Sequence, residues 1–191
     1  MAYGVKYRLE FSDLIGNDWK LDLLQEDYTG AVSTVTGGSD PVRVHWLGEG
    51  ENLLKPIIGS EMHIELMSDT DEKFLTIFQG TTKDWQVKLY NGSDVLVWVG
   101  YVDPDSYIEP YIDPPYPSVI HAHDGLGYLK NVDFPSSGWG NYPSIMTNQV
   151  VDIIARILDE LDYDINIYVN MNVYPAAGSG RSLEDIYVDI R

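Results

Sequence analysis

Apolar and polar residues alternate along much of the first two thirds of the chain. Val5, Tyr7, Leu9 and Phe11 are separated by Lys6, Arg8 and Glu10, a period of two that marks a half-buried strand. SDLIGND then reads as a turn, because Asp, Gly and Asn supply local hydrogen bonds and tolerate positive φ. Trp19, Leu21 and Leu23 alternate again and form the return arm of a hairpin. DYTG and TGGSD punctuate the following loops. After Pro41, the residues Val42, Val44 and Trp46 share one face. LGEGEN is a turn. Beyond it Met62, Ile64 and Leu66 face one way, with His63 and Glu65 opposite. Residues 74–78 are too short a run to separate helix from strand. Trp85, Val87 and Leu89 point inward, Asn91-Gly92 is a hairpin signal, and residues 95–102 return. That last run is apolar without interruption, so it is expected to be a central strand buried on both faces.

The pattern changes after Phe134. PSSGWGNYPS is a loop, and Thr147 or Asn148 is placed to cap a helix. Val150, Ile154, Ile157, Leu158 and Leu161 recur at helical spacing, which predicts an amphipathic helix. Ile165, Ile167 and Val169 alternate as a further strand. After a Gly- and Ala-containing stretch at 176–180, SLEDIYVDIR opens another amphipathic segment at the very end, which reads as the start of something longer. Strands recur with turn signals roughly every 8–15 residues, the pattern of an all-β barrel or sandwich. The expected fold is therefore mainly β. It is an antiparallel β-barrel or sandwich over residues 1–134, followed by a helix–strand extension over 135–191.

Bulk properties narrow the function classes. A chain of 191 residues suits one domain, or one domain with a small appendage. Twelve Lys and Arg against 30 Asp and Glu give a net charge of −18. Such a chain repels phosphate backbones and anionic membrane surfaces, so neither is an expected partner. The acids are scattered rather than in runs, which suits solubility or a basic or cation-bridged neighbour. There is no cysteine, hence no disulfide, thiolate metal site or Cys nucleophile. The N-terminus has no apolar core of a signal peptide, and no run is long enough for a membrane-spanning helix.

The stretch 100–130, GYVDPDSYIEPYIDPPYPSVIHAHDGLGYLK, holds the densest set of candidate groups. His121 and His123 lie on one strand face, and imidazoles at that spacing can share a metal. A third ligand is missing, since nothing in the sequence brings His45 or His63 near, so a solvated strand face is the plainer reading. Asp103, Asp105, Glu109 and Asp113 could serve glycoside hydrolysis or bind Ca²⁺. The intervening Pro104, Pro110, Pro114 and Pro115 instead make a stiff extended connection. Tyr101, Tyr107, Tyr111 and Tyr116 pack along that connection, or form a sugar-stacking platform. Gly125-Leu126-Gly127 lacks the rest of a dinucleotide fingerprint. Asp124-Gly125 is a tight turn whose Leu126 and Leu129 plug the core. No catalytic, cofactor-binding or metal-binding residue is assigned. Trp98, Tyr101, Tyr107, Tyr111, Tyr116 and Leu126 are the architectural and interface candidates.

Several blocks taken in order carry a family resemblance. They are DYTG, PVRVHW, KPIIGSEMHIEL, DWQVKLY, VLVWVGYVDPDSYIEPY, IHAHDGLGYLKNVDF and IIARILDEL. Together they resemble tail-tip, baseplate hub-type proteins of phages and prophages of Bacteroidota, over about residues 3–190. The resemblance implies a barrel related to those of the tail tube. It also implies assembly into a ring, commonly a trimer, at the tail tip of the virion, after synthesis in the bacterial host cytoplasm. The implied partners are the tail tube, the spike or fibres, and the tape-measure protein. Members of this family are generally longer, which fits the reading of the chain as a fragment. The resemblance brings no catalytic residue and no cofactor. Two other readings stand beside it. One is a carbohydrate- or receptor-binding module. The other is a cell-wall hydrolase working through Asp105 and Glu109.

Overall fold

The computed structural model describes residues 2–47, 59–81, 83–106, 110–131, 146–149, 157–158, 160–163 and 187–190. Residues 106, 130–131, 146–149 and 187–190 are described by their backbone alone. The chain divides into two compact units, Met1–Gly127 and Tyr128–Arg191. The expected boundary after Phe134 lies outside the described residues.

The first unit is one sheet of eight strands with almost no helix. Its strands are β1 (Tyr3–Ser12), β2 (Asp18–Glu26), β3 (Ser33–Val35), β4 (Gly37–Trp46), β5 (Ser60–Ser68), β6 (Trp85–Asn91), β7 (Leu96–Val102) and β8 (Tyr116–His123). The short run left open in the sequence is a single helical turn, α1 (Leu75–Phe78). The strand order is β3-β1-β2-β6-β7-β8-β5-β4. All neighbours are antiparallel except β1 and β3, which run parallel.

The period of two sets this register. Leu9 pairs with Leu21, Leu21 with Leu89, and Leu89 with Trp98. Ile64 pairs with both Val42 and Ile120. Each such row lies on one face, and together the rows form the buried core with Tyr7, Phe74, Ile77 and Trp85. Removing a Leu- or Ile-sized side chain from water contributes about 1.5–3 kcal/mol. A one-residue slip would turn each row to the solvent. Tyr7 lies in the same cluster, stacked on Trp85 at 6.1 Å and edge-on to Phe74 at 5.5 Å.

Four expectations are corrected here. Residues 95–102 are not buried on both faces throughout, because Val95 and Val97 are 56% and 52% exposed, and burial on both faces is confined to the end, where Trp98, Tyr101 and Val102 are all buried. Cover on that outer side begins only at Tyr101, which is buried with Tyr3 at 6.4 Å, and a run of valines records strand preference as well as burial. Trp46 does not continue the inward face of Val42 and Val44. It is 68% exposed, close to the end of β4. GGSD is not a loop. It is the first part of β4, where the pairing with β5 shifts between Gly37 and Val42, an irregularity that glycines accommodate. Finally, residues 147 and 148 do not cap a helix. They lie in a strand of the second unit.

The barrel is met only in part. The two edges, β3 and β4, share no ladder among the described residues, so the sheet is not closed by hydrogen bonds. The edges are nonetheless consecutive in the chain, with only Thr36 between Val35 and Gly37. The Met67 N–H donates to the Thr36 carbonyl at 2.8 Å.

In the second unit the described elements are a 3-10 turn at Tyr128–Asn131, β9 (Met146–Gln149) and β10 (Tyr187–Ile190). β9 and β10 are antiparallel, with Tyr187 opposite Gln149 and Ile190 opposite Met146. Ile157 and Leu158 are helical and Leu161 is buried. Val150, Ile154 and the strand expected at 165–169 lie outside the described residues.

Candidate functional site

Residues 100–130 begin where two strands part. β7 follows β6 from Leu96 to Tyr101 but pairs with β8 only at Tyr101↔His123 and Val102↔Ala122. The Asp103 N–H adds one bond, to the His121 carbonyl, at 2.8 Å. Gly100 permits this close crossing, since a Cβ there would collide with the Trp98 indole and the His123 carbonyl.

Trp98 lies where the strands diverge. Its ring is buried and its Nε1–H donates to Ser60 Oγ at 2.9 Å. Ser60, the first residue of β5, donates in turn from its hydroxyl to Asp124 Oδ2 at 3.1 Å, and its backbone N–H donates to the same oxygen. The Asp124 N–H donates back to the Ser60 carbonyl at 3.1 Å. The other carboxylate oxygen accepts the Leu126 N–H at 3.1 Å. A buried indole N–H needs a partner, and this chain supplies one while tying β7, β5 and the turn after β8 together. Gly125 takes φ +78°, a left-handed conformation that glycine adopts without steric cost. Asp124-Gly125 is thus a turn that locks strands, and the lock is the Asp124 side chain. Leu126 is half-buried and does not belong to the core cluster, so it is not the plug expected of it.

The tyrosines of the stretch go to different places. Tyr101 is buried, with Tyr3 at 6.4 Å. Tyr116 is buried on the core side of β8, and its hydroxyl accepts the Glu72 N–H at 3.4 Å. Tyr111 is fully exposed beside Ile112. It borders an open groove of about 770 Å³, lined also by Asp71, Glu72 and Asp113. Tyr107 and Glu109 lie outside the described residues. Asp103 accepts the Asp105 N–H at 3.2 Å, a bond that turns the chain.

The histidines are closer together than the sequence suggests. All four lie on β4, β5 and β8, on the face away from the core. His63 pairs directly with His121, and their rings meet edge-on at 4.1 Å. His45 stands 5.8 Å from His63. The signal for this was the odd-number parity shared by all four, but the adjacency of β4, β5 and β8 was not legible. Burial, then the neighbouring His121 and His45, hold the His63 pKa below its ordinary value. Among the described residues, no group of three or more His, Cys, Asp or Glu side chains is arranged to hold a metal ion.

Two further polar devices escaped the sequence reading. Arg8 binds Asp22 with two bonds of 2.7 and 2.9 Å across the β1–β2 pair, and Asp22 is buried. In the β1–β2 turn, the Asp13 carboxylate accepts N–H groups of Ile15, of Asn17 (backbone and side chain) and of Trp19. These bonds, the Asn17 ones foremost, pull its pKa down to about 2. They leave Leu14 and Ile15 at the tip exposed. Among the described residues no helix is long and apolar enough to cross a membrane. No family model, no curated protein and no solved structure matches the chain.

Proposed function

We propose that the chain is a structural, non-enzymatic subunit of a phage tail tip, of the baseplate-hub type, assembling with copies of itself into a ring that joins the tail tube to the spike or fibres. The observation that carries the reading is the ordered series of sequence blocks. A single eight-stranded sheet whose outermost strands are consecutive in the chain supports it. In that role the sheet curls into a barrel whose two edges meet at Thr36, so that few strand edges are left to pair with the wrong partner. Exposed apolar groups such as Val95, Val97 and Tyr111 suit burial against neighbouring copies, as interfaces favour aromatic and apolar centres.

The carbohydrate-binding reading needs a row of accessible rings. Tyr101 and Tyr116 are buried and offer no face to a sugar, which favours the assembly reading. The test is electron microscopy of phage particles labelled with an antibody to this chain. Label at the tail tip, and three-fold rings in the purified protein or in the particle, are expected. Particles that carry the label elsewhere, or not at all, would overturn the assignment.

A further inference from the structure

We propose that the histidine face of β4, β5 and β8 is an acid-sensitive seam, at which protonation of the His45–His63–His121 row sets like charges against one another and loosens these three strands. The geometry carries this. His63 and His121 are direct cross-strand partners with rings in contact, and His45 extends the row to β4. Directly opposed like charges destabilise a strand pair.

The charged groups facing the row do not offset a doubly or triply protonated state. On β4, Arg43 lies opposite His63 and adds a permanent positive charge, although Asp40 pairs with it. On β5, Glu61 lies opposite both His45 and His123, so one carboxylate serves two imidazoles. Glu65, the next acid on that strand, accepts the Ser39 N–H at 3.0 Å. On β8, His123 Nδ1 accepts the Gly125 N–H at 3.1 Å. Asp124 is engaged by Ser60 and Leu126.

The sign follows from His63, whose pKa in the fold lies below its ordinary value. Its unfolded form takes up a proton near pH 6.5 while the folded form resists. Stability is therefore fully present above about pH 6.5 and is withdrawn as pH falls from there toward the lowered folded value. Each unit of depression corresponds to a tenfold fall in the folding equilibrium. The carboxylates whose pKa values lie below the ordinary range, Asp13, Asp69 and Asp94, sit away from the row and lose their contribution only below about pH 5.

The experiment is urea unfolding of the full chain at pH 7.5 and 5.5, for the parent and for the double variant His63→Gln, His121→Gln. A several-fold loss of the folding equilibrium in the parent, mostly absent from the variant, is expected. Equal pH dependence in the two overturns the proposal. If the variant does not fold, NMR titration of the parent's imidazole protons decides. His63 titrating below the ordinary value and jointly with His121 supports the seam, and four independent ordinary titrations reject it.

Discussion

At the scale of single residues, the polar side chains that organise this fold act on backbone groups nearby or on strands brought close by topology. Asp13 is the local case. Its carboxylate is already ionised well below the pH at which an ordinary aspartate titrates, because the turn's N–H groups stabilise the charged form. Its folded pKa is depressed, so its contribution is present above the ordinary carboxylate range and is lost as pH falls from that range through about 2. NMR should show the Ile15 and Asn17 amides titrating together with a midpoint of about 2. A midpoint in the ordinary carboxylate range would mean that the turn is not held this way. The SDLIGND turn was legible because its residue types need no distant partner. Ser60 and Asp124 are the contrary case. Sixty-four positions separate them, and no periodicity announces that one hydroxyl will serve both a carboxylate and an indole.

At the scale of elements, the hairpins β1–β2 and β6–β7 were legible, since each combines alternating strands with a recognisable turn. The Arg8–Asp22 pair belongs to this scale, because only the register of β1 on β2 places the two opposite each other. Asp22 is buried and the Arg8 side chain is about one-third exposed (33%). Replacing Arg8 by Met leaves the carboxylate buried without its bidentate partner. Breaking a fully buried pair costs about 3–5 kcal/mol. The expected loss here is somewhat less, about 2 kcal/mol, because water reaches the guanidinium. Urea denaturation measures it, and an unchanged midpoint would show that the pair contributes nothing net. The strand at 146–149 was missed for a reason of the same scale. Thr147 and Asn148 suit a helix cap as well as a strand, and what selects the strand is the pairing with residues 187–190.

At the scale of the whole molecule, the decisive feature is that the chain passes from one sheet edge to the other across Thr36. If holding the two edges together depends on that link, inserting two glycines after Thr36 should lower the melting temperature by several degrees, whereas the same insertion after Ala31 in the exposed 29–32 loop should not. Equal effects at the two sites would argue that the edges are independent. Period-two patterning determined the mainly β class, most strands of the first unit and most of its core, because burial of one sheet face is written into alternate residues. The lack of cysteine excluded disulfides and thiolate metal sites in the same direct way. Tertiary structure alone decided which strands are neighbours. From that followed the gathering of the histidines, the Trp98–Ser60–Asp124 lock, the exposure of Val95, Val97 and Trp46, and the separate fates of the tyrosines. The reason is that alternation specifies which way a side chain faces relative to its own strand. Strand order depends on the joint packing of residues far apart in the chain, which no local pattern encodes.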